Sequence, residues 1–291
     1  MPSLPTQATT TSPALRRLVR EIDDISTLPH VADRATQAAA DPNVEAADLR
    51  QLLESDPALS ARVLRYVKSS DCPVRDQITN LQQAVFYLGT KQIRDLAMTA
   101  GVSDRFRTDL MIGTYQRSQL WQHSVAVGVC SRMIAKRRKL ADPEDVFLAG
   151  LLHDVGIILE DQYRHDAFFE VIRSLQEDLT LTEAERNHLG FDHTALGERV
   201  GQRWEFPDAV IAAIRYHHVS VGYRGDHIDT VRCVEVANLI CTLRGIPSVG
   251  VKLVKFSRTA FAGLSLARED VAGLIEELDE ELTGHSDLTH A

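Results

Sequence analysis

The chain has 291 residues, with 41 acidic against 32 basic side chains and a formal net charge of −9 at neutral pH. That balance excludes general nucleic-acid binding, which draws on counterion release from a net basic surface. Hydrophobic residues make up 44% and charged residues 25%, which suits a packed globular core and excludes disordered, collagen-like and disulfide-stapled chains.

Residues 1–13, rich in Thr, Ser and Pro, lack the basic-then-apolar order of a secretory signal and read as a flexible tail. No apolar run reaches the roughly 18 to 20 residues of a spanning helix, so a cytoplasmic protein without a membrane partner is expected. From there on, helical period dominates. Leu15, Leu18, Val19 and Ile22 recur at i, i+3, i+4 and i+7, the stripe of an amphipathic helix. Asp56 before Pro57 is a cap followed by a first-turn proline, and Leu59, Val63, Leu64 and Val67 continue that helix. Leu81, Val85 and Leu88 form another stripe that stops at Gly89, and Thr90 caps the next, which carries Ile93, Leu96 and Ala97. A weak boundary falls near residues 102–113, where charged and polar residues replace the stripes.

The second half repeats the pattern on longer helices. One is predicted from about Tyr115 to Lys139, and Asp142-Pro143 opens another that carries Val146, Leu148, Leu152, Val155 and Leu159. Thr182 and Glu185 have the spacing of a capping box, Asp192 caps a helix with Leu196 and Val200, and Pro207 opens one through Val210, Ile211 and Ile214. A last long helix is predicted from Val231 to Arg244, ending at Gly245. No period-two alternation bounded by turns is present, so the fold class is all-α. The four cysteines, Cys72, Cys130, Cys233 and Cys241, have neither metal-hook nor redox spacing and read as reduced, mostly buried thiols. The run from Lys136 to Lys139 reads as a solvated basic helix end, and Glu276 to Glu281 as an exposed acidic face.

The eleven histidines are the unusual component. His123 is followed by His153-Asp154, then His193, then the pair His217-His218, each group on a separate predicted helix. A neutral imidazole offers one nitrogen to a divalent cation, and a carboxylate with two oxygens can bridge two cations. Ligands on single helices cannot wrap a metal, so they must converge from several. A lone histidine on an apolar helix is usually a packed residue. Asp154 changes that balance, because Leu151, Leu152 and Val155 predict burial and a buried carboxylate needs a cation or strong hydrogen bonds. His30, His165, His188, His227, His285 and His290 lack such surroundings.

Leu28-Pro29-His30-Val31, the run from Ser55 to Leu64, the run from Ile78 to Val85 with Leu88-Gly89, Leu152-His153-Asp154-Val155-Gly156 and Trp204-Glu205-Phe206-Pro207 together resemble the HDOD (HD-related output domain) branch of the HD metal-dependent phosphohydrolase superfamily. The resemblance covers roughly residues 22–243. It implies a two-lobed helical architecture, with an N-terminal lobe at 14–108, an HD-like lobe at 109–285 and a tail at 286–291. It also implies a signal-transduction module with a signalling protein partner, one or two divalent ions (Fe, Mn, Zn, Ni or Mg), and metal ligands at His123, His153, Asp154, His193, His217 and His218. Were the chain an enzyme, the resemblance implies a phosphohydrolase or phosphodiesterase acting on a small phosphorylated ligand, with His153 and Asp154 catalytic.

The chain departs from the hydrolytic relatives of that superfamily at several positions. Asn238 stands where the family's late aspartate is expected, and Ile157 where the cyclic-dinucleotide phosphodiesterases of the HD-GYP branch carry a lysine. The segment after His217-His218 lacks their acidic residues and has Arg224 at the place of a proline.

Overall fold

The computed structural model describes residues 12–41, 44–69, 75–98, 106, 111–140, 142–175, 179–249 and 256–286. Cys72 and His290 lie outside these, as does most of the 102–113 boundary. The described residues form helices α1 (Pro13–Glu21), α2 (Pro29–Ala40), α3 (Ala46–Glu54), α4 (Pro57–Ser69), α5 (Leu81–Met98), α6 (Arg117–Arg138), α7 (Pro143–Leu152) and α8 (Val155–Tyr163). They continue with α9 (His165–Ser174), α10 (Leu181–Leu189), α11 (His193–Arg203), α12 (Asp208–Tyr216), α13 (Ile228–Leu243), α14 (Arg258–Gly263) and α15 (Arg268–Ser286). The protein is all-α, with one antiparallel ribbon of β1 (Met111–Ile112) and β2 (Tyr115–Gln116).

In the first lobe α2, α3 and α4 pack on α5. Asp56 caps α4 by accepting from the Leu59 N–H at 2.8 Å, and Leu59, Val63, Leu64 and Val67 bury the predicted stripe. Each such side chain taken from water contributes on the order of 1.5–3 kcal/mol. In α5 the backbone breaks at Gly89, whose φ of 73° and ψ of 165° suit glycine, so the stop read there divides the element.

The second lobe is built round α6, which packs on α7, α13 and α15 and is buried along most of its length. α6 and α7 touch backbone to backbone: a Cβ on Gly150 would stand 2.9 Å from the Gly128 Cα and 2.9 Å from the Val127 carbonyl. A side chain at either glycine would push apart the two helices that carry His123 and lead to His153.

Three local expectations are corrected. The helix predicted from Tyr115 begins at Arg117, because the Tyr115 ring is buried edge-on against Phe168 and its hydroxyl donates to Asp161 at 3.0 Å, which holds residue 115 in the ribbon. The single helix predicted through Val146 and Leu159 is two, α7 and α8, broken at His153-Asp154. There the His153 ring donates from Nδ1 to the Gly150 carbonyl at 2.7 Å, taking the acceptor that a continuing helix would present to residue 154. The capping box of α10 is Thr180 with Glu183, which bond each other's backbone N–H groups, and not Thr182 with Glu185.

The charged runs noted in the sequence meet each other. Arg137 donates from Nη1 to the Asp270 carbonyl at 2.8 Å and from Nη2 to Glu277 at 2.5 Å, which pins α15 to the basic end of α6. Cys130, Cys233 and Cys241 are buried free thiols. Among the described residues no helix is long and apolar enough to cross a membrane.

Candidate metal centre

Four elements meet at one place. α6 supplies His123 from its buried face, and the turn between α7 and α8 supplies His153 and Asp154. His193 is the first residue of α11, fixed there because Asp192 caps the helix by accepting from the Ala195 N–H at 2.9 Å. His217 follows the last residue of α12. The turn and α11 are pressed together at Gly156, where a Cβ would lie 2.0 Å from the His193 carbonyl oxygen. His123, His153, His193, Asp154 and His217 are all buried, whereas His218 is exposed at the edge of the group.

The imidazoles share one orientation. The Nδ1 of His123 meets the Ile246 carbonyl at 2.6 Å, that of His153 the Gly150 carbonyl at 2.7 Å, and that of His217 the Ile214 carbonyl at 3.0 Å. Nδ1 of His193 meets both oxygens of Glu185 at 2.8 Å. Carbonyl oxygens only accept, so Nδ1 of His123, His153 and His217 carries the proton and their Nε2 is left with its lone pair; Glu185 as a carboxylate would fix His193 in the same form. All four Nε2 atoms face Asp154. Its Oδ2 lies 3.2 Å from His153 and 3.7 Å from His123, and its Oδ1 lies 3.3 Å from His217 and 3.5 Å from His193. His218 Nε2 is 3.1 Å from His193 Nε2.

Nε2 of His123, His153 and His217 and Oδ1 of Asp154 are buried without a hydrogen-bond partner. Lone pairs turned on a carboxylate oxygen are costly unless positive charge stands between them. Adjacent ligands of one ion with bonds of roughly 2.1 Å stand about 3.0 to 3.4 Å apart for octahedral to tetrahedral angles; His153 and His217 fall in that range at 3.2 and 3.3 Å, and His193 and His123 stand slightly wider at 3.5 and 3.7 Å. The ligating groups fall into two sets, His123 with His153 and Asp154, and His193 with His217 and His218. The residues therefore fit one or two divalent cations.

The electrostatics agree with that fit. Burial, reinforced by the neighbouring His153, pushes His123 down to about 4. Burial does the same to His217, to about 4, against the opposing pull of the Asp154 carboxylate. Both rings are thus neutral at pH 7, the form that ligates. Burial alone would raise the Asp154 carboxyl, but His153 and His217 hold it well below the usual carboxylate range, so it stays an anion.

All six residues expected from the sequence come together. Two carboxylates behind them were not expected. Glu185 on α10 accepts both the ring and the backbone N–H of His193, the latter at 3.0 Å, and Glu160 on α8 is fully buried beside Glu185. Desolvation holds both well above the usual carboxylate range, for Glu160 with the Glu185 charge adding to it. Their one sequence signal is a carboxylate on an apolar face, Glu185 beside Leu181 and Ala184, and Glu160 after Ile157, Ile158 and Leu159. Asn238 is buried on α13, where its Oδ1 accepts from the Thr242 hydroxyl at 3.4 Å. His165, set aside in the sequence, meets Asp161 at 2.7 Å, and Asp161 also receives a two-pronged bond from buried Arg117.

A cavity of about 450 Å³ lies along α11 and α12, beside the helix end that carries His217. Its charged lining is Glu198, Asp208 and Asp226 against Arg215 and His227, and Arg215 already pairs with Glu198 at 3.4 Å.

The HDOD domain family matches residues 25–220. An HDOD domain protein of unknown function from Geobacter sulfurreducens has a similar crystal structure, with a TM-score of 0.57 and 27% identity over 95% of this chain and 96% of that one. An uncharacterised protein of Treponema pallidum is 26% identical over 220 residues, 72% of this chain and 40% of its own length. The cyclic di-GMP phosphodiesterase CdgJ of Vibrio cholerae is 23% identical over 196 residues, 66% of this chain and 41% of its own. The chain thus spans about two fifths of the curated relatives it matches. With the family matching two thirds of the sequence, and a helical fold shared with a member of known structure, the chain belongs to the HDOD domain family.

Proposed function

We propose that this HDOD chain is a regulatory signal-transduction module whose HD-like lobe retains a divalent metal centre in the cage of His123, His153, Asp154, His193, His217 and His218. In this reading the N-terminal lobe runs over 14–108 and the HD-like lobe over 109–285, and the surface of the molecule relays the state of the centre to a protein partner. The observation that carries it is the set of four buried imidazoles, each with Nδ1 engaged and Nε2 turned on the Asp154 carboxylate. A regulatory role is favoured over turnover because, of the six groups, only His218 reaches solvent. The neutral amide of Asn238 at the late-aspartate place favours it too, as a poorer partner than a carboxylate for a hard cation. Elemental analysis of the full chain tests this reading: one to two divalent ions per chain are expected in the native protein and a clear loss in Asp154→Ala, while equal content in the two would sink it.

A second reading, a metal-dependent phosphohydrolase, is supported by one observation: the two oxygens of Asp154 face different histidine pairs, as a carboxylate bridging two ions would. Bound ions would supply Lewis acidity toward phosphoryl oxygens and an activated water. Asp154 and His153 would then be the catalytic residues, Asp154 holding the negative charge that keeps two cations together and His153 presenting Nε2 from a ring fixed by the Gly150 carbonyl. Assays of metal-loaded protein on phosphodiester and nucleotide panels decide between the readings. Absence of any rate that vanishes in Asp154→Ala removes the hydrolase.

A further inference from the structure

The cage is built from two unequal halves. His123, His153 and His217 each donate Nδ1–H to a neutral backbone carbonyl, whereas His193 donates to the carboxylate of Glu185. Glu185 also accepts the backbone N–H of His193, so it fixes both the start of α11 and the rotation of the ring. A carboxylate behind an imidazole locks the tautomer and makes Nε2 a stronger donor to a metal.

Glu185 is supported in turn by Glu160. Both are fully buried, and neither Glu160 oxygen receives an N–H or hydroxyl donor. Burial disfavours the anion of Glu160, and as the neutral acid its O–H would serve Glu185 beside it. The bonds from Glu185 on α10 hold the backbone and ring of His193 on α11, and a proton on Glu160 would extend that line to α8. On the other side the metal-ligating set is His123, His153 and Asp154, with no such carboxylate behind either ring.

We infer that the cage fills in two unequal steps, the position at His193, His217 and His218 being the tight one because Glu185, held by Glu160, anchors the His193 ring. The inference rests on the reading that the cage takes divalent ions. Glu185 and Glu160 are positioning residues in it, since neither reaches the ion.

Titration of the metal-free full chain with Co²⁺, followed by calorimetry and by visible absorption, tests it. The native protein should show two steps of different affinity. His193→Ala should abolish the tight step and His123→Ala the weak one; the reverse assignment, or two equal steps, overturns the inference. Glu185→Gln should weaken the tight step by about 10- to 100-fold and leave the weak one in place, with circular dichroism of the metal-free variant confirming its fold. An unchanged tight step in folded Glu185→Gln overturns it. Glu160→Gln, whose amide N–H replaces the acid O–H as donor to Glu185, should keep the tight step within tenfold of the native protein; its loss would overturn the assignment of Glu160. Failure of the native protein to bind Co²⁺ at all is a different result, because it removes the metal centre itself.

Discussion

Replacing Gly156 by alanine would strike the joint that sets the distance between the two halves of the cage. The added Cβ would meet the His193 carbonyl oxygen at 2.0 Å, its carbon at 2.7 Å and the His193 Cα at 3.0 Å. These are backbone atoms at the first residue of α11, so no side-chain rotation relieves the clash. Ordinary contact begins near 3.4 Å, so α8 and α11 must part by more than an ångström. Overpacking of this kind costs about 1–3 kcal/mol, a fall in Tm of roughly 5 °C for a chain of this size. Metal sites tolerate about 0.2 Å of error in ligand distance, so the moved His193 should lose its share of the ion. Gly222→Ala is the control: its Cβ would meet only the Tyr216 ring at 3.7 Å, and its effect should stay within about 0.5 kcal/mol. Differential scanning fluorimetry and elemental analysis of the three proteins read both effects. A Gly156→Ala protein with native Tm and native metal content would refute the close packing argued for this joint.

Two further predictions concern charge. Arg117 and Asp161 form a buried two-pronged pair at 2.6 and 2.9 Å, so Arg117→Met, which leaves Asp161 without its cation, should cost about 3–5 kcal/mol in denaturant unfolding; a cost below 1 kcal/mol would contradict the geometry. In metal-free protein, His123 and His217 are held down to about 4 by burial, against 6.5 when unfolded. Between those values the unfolded state binds protons that the folded state refuses. Stability is therefore fully present above pH 6.5 and falls as the pH drops toward 4, by about 3 kcal/mol for each ring. Flat urea stability from pH 7 to 4.5 in the presence of a chelator would rule this out.

Much of this arrangement is legible in the sequence because it follows from local rules. Asp56, Asp192 and Gly89 act where their side chains or their lack of one require, and the helical period places Leu15, Leu59 and Val231 in the core. The six cage residues are legible through residue type and the family resemblance. What escaped depends on neighbours distant in the chain. The break at His153-Asp154 comes from the His153 ring taking the Gly150 carbonyl, which no apolar stripe reveals. Glu185 has a spacing from Thr182 that reads as a helix cap, yet it turns inward because His193, eight residues on, offers it two N–H donors, one from its backbone and one from its ring. Tyr115 continues the stripe of α6 by period but is drawn into the ribbon by Asp161 and Phe168, which arrive from α8 and α9.

In the proposed reading the four Nε2 atoms and Asp154 converge to hold divalent metal. Crystals of the full chain grown with Mn²⁺ or Fe²⁺, measured at the metal absorption edge, test it most directly. An anomalous peak within about 2.0–2.3 Å of the Asp154 carboxylate and of Nε2 from at least two of His123, His153, His193 and His217 is predicted. Metal-saturated crystals without such a peak, or with the rings turned so that Nδ1 faces Asp154, would contradict it.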